Sequence, residues 1–131
     1  MKYVLLIYGN PENWGHPLFM RSKEALAMSG AERQKMADQF ESLLTEVRES
    51  GELISAAPLA DPVNARTVRV RDGVPAATDG PYVESKEQMA GFFIVDCATS
   101  ERAEEIAGRL PDARFWAVEL RSIMGPSGQE M

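Results

Sequence analysis

The sequence predicts an α+β domain of the ferredoxin-like, split βαβ kind: an antiparallel sheet with both helices on one face and an added hairpin. Three observations predict it. Apolar runs of strand length open the chain (KYVLLIY, 2–8) and recur later (FFIVDC, 92–97). Two amphipathic helical stripes fall between strands, so the order reads strand, helix, strands, helix, strand. An Asp72-Gly73 pair sits in an alternating Arg/Val segment, a strong short-range hairpin signal.

Taken in order, the first run is rich in Val, Ile and Tyr and is closed by Gly9-Asn10-Pro11, which makes it a buried strand. Residues 10–20 (NPENWGHPLFM) contain Pro11, Gly15 and Pro17 and read as an irregular excursion, with a short helical turn expected around 22–28. Ser29 stands three residues before Glu32, the spacing of a capping box. Met36, Phe40, Leu43, Leu44 and Val47 then form one apolar stripe, and Gly51 supplies a residue suited to end a helix, so 30–50 is helical. ELISAAPL (52–59) is a second strand, broken at Pro58 or Pro62. RTVRVRDGVPAAT (66–78) is the hairpin. Thr99 or Ser100 caps a second helix whose stripe of Ala103, Ile106, Ala107 and Leu110 stops at Pro111. FWAVELRSI (115–123) is the last strand. Residues 1–124 are expected to form a single domain, and 125–131 a flexible tail with nothing to bury.

Composition narrows the classes. A chain of 131 residues is one domain by length and buries enough surface to fold without staples. Fourteen basic against twenty acidic residues give a net charge of -6, which argues against a nucleic-acid or anionic-membrane partner. Cys97 is the sole cysteine and cannot close an internal disulfide, so the expected location is cytoplasmic. The opening apolar run is too short for a secretory signal, and no stretch approaches the ~20 apolar residues of a membrane span. GxGxxG, GxxxxGK[ST] and GxSxG are absent, as is any His/Cys cluster at metal spacing. No cofactor and no metal are expected.

The strands carry a further implication. VLLIY (4–8) and FFIV (92–95) do not alternate apolar with polar residues, so both faces of those strands want cover. Two helices shield one face. The other face is expected to meet the same surface of a second copy, giving a homodimer, a dimeric α+β barrel with C2 symmetry. The alternative is an intervening loop folded over the open face.

MKYVLLIYG, SGELISAAPL, ARTVRVRDG, TDGPYVESKEQMAGFFIVD and VELRSI together resemble the YCII-related proteins, and within them the branch named after its DGPFAETKE motif. The likeness runs from Met1 to Ile123 and is most specific at Asp79-Gly80-Pro81, Glu84 and Lys86-Glu87. Tyr82, Val83 and Ser85 stand where the family's motif has Phe, Ala and Thr. The resemblance implies a dimeric ferredoxin-like barrel, in agreement with the strands. It implies less about chemistry: some relatives have been suggested to be small-molecule enzymes using a His–Asp pair, and genes of this branch often lie near those of extracytoplasmic-function sigma factors.

The candidate site residues follow from these readings. Asp79 is a turn residue whose carboxylate can cap backbone N–H groups, or a general base or its orienter. His16 is the only histidine, the residue type suited to proton transfer near neutrality, and lies in the Trp14–Pro17 excursion. Were 82–88 extended, Tyr82, Glu84 and Lys86 would share a face able to hold a small polar ligand; a solvated ion pair is the plainer reading. Trp14 is a candidate cleft wall, Trp116 a core or interface residue, and Arg66, Arg69 and Arg71 are read as the wet side of a strand. Two functions fit. One is a cofactor-independent isomerase, lyase or dehydrohalogenase with Asp79 as base or orienter and His16, Tyr82 or Lys86 as acid. The other is a metabolite-binding or regulatory dimer, for example one docking on a sigma factor, with no turnover.

Overall fold

The opening run becomes β1 (Lys2–Gly9), along which burial alternates strictly. Tyr3, Leu5 and Ile7 are buried beneath the helices, whereas Val4 and Leu6 are half-buried on the opposite side. A computed structural model describes residues 1–83 and 85–131 of the chain. After β1 come α1 (Lys23–Ala27), α2 (Gly30–Glu49), β2 (Leu53–Pro58), β3 (Arg66–Arg71), β4 (Val74–Asp79) and β5 (Gln88–Asp96). Then follow α3 (Ser100–Arg109), α4 (Pro111–Phe115) and β6 (Val118–Ser122). Short 3-10 turns occupy Pro11–Asn13, Leu18–Arg21 and Pro62–Asn64.

Four strands form one antiparallel sheet in the order β2-β5-β1-β6. The units β1–α2–β2 and β5–α3–β6 interleave, so the two strands of each straddle a strand of the other. This is the expected ferredoxin-like arrangement. The hairpin β3–β4 is inserted between β2 and β5 as a separate two-stranded sheet, paired from Arg66↔Asp79 to Arg71↔Val74. Its two-residue turn needs positive φ at both positions, and Asp72 and Gly73 adopt 53° and 76°.

The helices are capped and striped as their sequences require. Ser29 Oγ accepts from Glu32 N at 3.1 Å, and the hydroxyl donates to the Glu32 carboxylate. Met36, Leu43 and Val47 of α2 are buried, as are Ala103, Ile106 and Ala107 of α3 and Leu110 beyond it. With Leu5, Val95 and Tyr3, all of these except Met36 make the main core; Met36 packs with Phe19 and Ala25 in a second cluster. Ions tie the helical layer together. Arg102 on α3 donates to both Glu52 oxygens, each at 2.9 Å, and to Glu46 on α2 at 2.8 Å. Hydrogen bonds from Arg109 and then Arg102 hold Glu46 down at about 2.

Two boundaries differ from expectation. The last strand begins at Val118 rather than 115, because Pro111, whose fixed φ suits a first helical position, starts a new helical turn closed by Trp116 N donating to Asp112 O at 2.8 Å. β5 begins at Gln88, ahead of the FFIVDC run, and its register with β1 slips between Ile7↔Gly91 and Tyr8↔Met89, which leaves Ala90 in a bulge. Beyond β6 the chain doubles back, with a Met124–Glu130 bridge and Met131 N donating to Ile123 O at 2.7 Å. No helix among the described residues is long and apolar enough to cross a membrane.

The β2–β5 pairing depends on the bare backbone of Gly91. A Cβ there would sit 2.8 Å from Ala57 O and 3.3 Å from Pro58 Cα, both backbone atoms with little freedom to retreat. Gly91→Ala should therefore destabilise the fold by about 1–3 kcal/mol, the usual cost of overpacking. Urea denaturation of the two proteins checks this, and an unchanged midpoint refutes it.

Candidate functional site

Where β2 and β5 pass the edge of the helical layer they carry Ala56, Ala57, Ala90 and Gly91, residues too small to fill the space beneath α2. The result is a cavity of about 460 Å3, bounded on the sheet side also by Ile7, Phe92 and Phe93 and on the helix side by Ala37 and Phe40. Leu18 and Phe19 close one end. Small-molecule sites usually measure roughly 300–1,000 Å3 and are mostly apolar, as here. All the walls come from one chain. A larger hollow of about 840 Å3 between α2 and Arg109–Arg114 is faced by polar side chains such as Gln34, Lys35 and Asp38, with no buried titratable group among them.

Among the described residues, three titratable side chains line the apolar cavity: His16, Glu41 and Asp112. Asp112, on α4, is only 6% exposed. Its burial follows from its neighbours: the apolar Leu110 and Pro111 hold α4 against the core. Desolvation pushes its carboxyl up from 3.8 to about 6, opposed by its own backbone N–H and by the charge of His16. Among the described residues no cation forms an ion pair with it.

His16 lies at the mouth, exposed, in a loop fixed from both sides. Trp14 Nε1 donates to Leu59 O at 3.1 Å, and His16 Nε2 lies 2.6 Å from the same oxygen. A carbonyl only accepts, so this contact assigns the ring proton to Nε2 and leaves Nδ1 as the lone-pair nitrogen of the neutral ring. The two rings meet edge to face, 6.1 Å between centroids. Trp14 packs on the main core and supports His16 without itself lining the cavity.

The motif residues lie elsewhere. Asp79 ends β4 with its side chain 95% exposed, 3.8 Å from Arg66 Nε, and is not a wall of the cavity. The turn after it is held by backbone groups: Gly80 N donates to Ala65 O at 2.7 Å, and Thr67 Oγ1 donates to Gly80 O at 2.9 Å. Tyr82 is 76% exposed, with the Arg69 guanidinium 5.3 Å from its ring centre. Lys86 is exposed, and the chain bends at 82–83 and again at 86–87, so Tyr82 and Lys86 do not share the face of one strand. Glu84 lies outside the described residues. Cys97 is buried, and desolvation raises its thiol, as suits an inert core residue. Among the described residues, no three His, Cys, Asp or Glu side chains gather as metal ligands would.

Both His16 and Asp112 line the cavity; of the two, the sequence singled out His16 and not Asp112 as a candidate. An acid just after a proline reads as an ordinary first-turn residue of a helix. The available signal was its setting, one carboxylate between Leu110 and Phe115 in a stretch that otherwise packs inward.

A four-stranded antiparallel sheet in this order, roofed on one face by two helices and holding an apolar cavity at the roof's edge, defines a ferredoxin-like α+β domain. The chain matches the YCII-related domain over residues 1–125 and belongs to that family. It is also similar to an uncharacterised protein of Rhizobium meliloti (strain 1021), 32% identical over 87 residues that cover 66% of this chain and 70% of that protein.

The Asp112 carboxyl makes a pH prediction. Between 3.8 and about 6 the folded chain holds a proton that the unfolded chain has released, so this group's effect lowers stability as pH rises through that window. Asp112→Asn removes the effect. Its stability relative to wild type should improve from pH 4 to pH 7.5 by at most about 3 kcal/mol, the equivalent of a two-unit displacement. Urea denaturation at both pH values measures this, and a difference that does not change with pH would contradict the burial of an ionised Asp112.

Proposed function

We propose that this chain is a homodimeric, cofactor-independent, cytoplasmic protein that binds a small molecule in the cavity under α2 and moves a proton on it. The observation that carries the reading is the cavity itself: apolar walls, a buried Asp112 carboxylate at one end and a histidine at the mouth. His16 Nδ1 is the proton acceptor, and its Nε2–H bond to Leu59 O holds the ring in the tautomer that needs. Asp112 anchors or orients the ligand. Such an arrangement suits a reaction that begins by removing a proton, as isomerisation and elimination do. The likeness of 79–87 to the DGPF branch adds a second group. Asp79, Tyr82 and Lys86 stand outside the one-chain cavity and are proposed to bear on a ligand only if a partner chain brings them to it.

The dimer rests on the open sheet face. Val4, Leu6, Phe92 and Ile94 stand together there by register, away from both helices. The inserted hairpin does not cover them, since it makes no more than marginal contact with any other strand or helix. Glu119 and Arg121 of β6 flank the patch, opposite charges that a two-fold axis can pair. Ile94→Asp should sediment as a single chain where wild type sediments as two. Equal masses for both proteins would remove the dimer from the reading.

The site is tested by blocking it. A thermal-shift screen of small organic compounds should give ligands that stabilise wild type, and Ala56→Phe, which fills the cavity from exposed β2, should abolish their effect. Ligands that stabilise both proteins alike bind elsewhere and refute the site. Exchange of a ligand C–H for solvent deuterium, present in wild type and lost in His16→Ala, separates turnover from binding. Binding without exchange supports the metabolite-binding dimer instead.

A further inference from the structure

The described walls of the cavity carry two carboxylates and one imidazole. Its titratable lining residues are His16, Glu41 and Asp112, and neither lysine nor arginine is among the described walls. Asp112 is the buried one; Glu41 and His16 are exposed at the mouth. A carboxylate withdrawn from water needs a cation or several hydrogen bonds to offset its lost solvation. Asp112 has its own backbone N–H and the partial influence of His16, and no hydrogen bond joins the two side chains. The imidazole has already committed Nε2 to Leu59 O. Among the described residues, then, no cation forms an ion pair with the Asp112 carboxylate.

From the unpaired Asp112 carboxylate, the acidic mouth and the aromatic walls together, we infer that the ligand is a small amine whose ammonium group donates to Asp112 while its apolar body lies against Phe40 and Phe93. This rests on the proposed small-molecule site and specifies its ligand class. Three physical terms favour it over other charges. An ammonium supplies a charge-assisted hydrogen bond to a carboxylate that has no cationic donor. Phe40 and Phe93 present ring surfaces that attract a cation and repel nothing apolar. Glu41 at the entrance adds negative potential in a chain of net charge -6, which draws cations and discourages carboxylates and phosphates. A neutral alcohol could also donate to Asp112, but would leave the carboxylate's charge uncompensated.

Benzylamine, benzyl alcohol and benzoate are matched in size and differ in charge, which makes them suitable probes. They are titrated at pH 7.5 into the full chain with the amide signals of residues around Phe40 and Phe93 followed by NMR. Benzylamine should bind about tenfold or more tightly than benzyl alcohol, the scale of a charge-assisted over a neutral hydrogen bond, and benzoate should not bind. In Asp112→Asn, benzylamine should fall to the level of benzyl alcohol while the alcohol is unchanged; Glu41→Gln should weaken benzylamine by less than about threefold, as for an exposed charge. Benzyl alcohol or benzoate binding wild type as well as benzylamine does overturns the amine inference and leaves the cavity reading intact. Benzylamine affinity that survives Asp112→Asn does the same. If no probe perturbs the cavity residues, the inference and the small-molecule site fall together.

Discussion

The structure is governed by a mismatch of areas: four strands with two apolar faces, and a helical layer wide enough for most of one. α2 and α3 roof the middle of the sheet, where Leu5, Val95, Leu43, Ile106 and Ala103 pack in one buried cluster. Toward β2 the roof runs out. A chain that placed large side chains there would simply continue the core, but β2 and the adjoining bulge of β5 carry Ala56, Ala57, Ala90 and Gly91. Small residues in a core normally let two elements close up. Here Phe40 of α2 packs on Phe19, the Arg102–Glu46–Arg109 ions tie α2 to α3 within the helical layer, and a void remains beneath α2.

The same mismatch leaves the far face of the sheet bare. Val4, Leu6, Phe92 and Ile94 are each half-buried by their strand neighbours alone. The hairpin that interrupts the fold between β2 and β5 lies off the sheet, with Val68, Val70 and Val74 each more than half exposed. Two-stranded ribbons of this kind are marginal alone in water, so hairpin and sheet face both invite contact with something outside one chain. By register Glu119 and Arg121 stand on this face beside Leu6 and Val4.

Legibility followed the physical range of each signal. Helix α2 was readable because its capping residue and its stripe are local, separated by three or four positions along one element, and the hairpin because Asp72-Gly73 answers a demand made by its own backbone. The start of β6 was misread because FWAVEL is as apolar as a strand, while Pro111 nucleates a helical turn that takes Phe115 with it. Asp79 drew attention through its motif, and the described chain places it in solvent beside Arg66. Asp112 carried no motif and sits in the pocket. What sets it apart is desolvation, a product of α4 lying against the core, and no window of neighbouring letters reports that. Histidine at 16 was legible only as a type; its tautomer depends on the carbonyl of Leu59, more than forty residues away.

The buried Asp112 bears on the question of structure against function. A capping or scaffolding acid contributes stability: its carboxylate accepts hydrogen bonds, and its pKa is drawn down, as in Glu46. Asp112 behaves in the opposite sense, easier to protonate in the folded chain than in the unfolded one, so in its ionised form it costs stability. Nothing in the packing of α4 requires a carboxylate there, since Pro111 starts the turn and the backbone of Trp116 closes it. A group that costs stability where an apolar or amide side chain would fit is the mark of a site under a demand other than folding. That the cost falls inside an apolar cavity with a histidine at its mouth, and not at the exposed Asp79, is the reason for proposing that a ligand sits beneath α2.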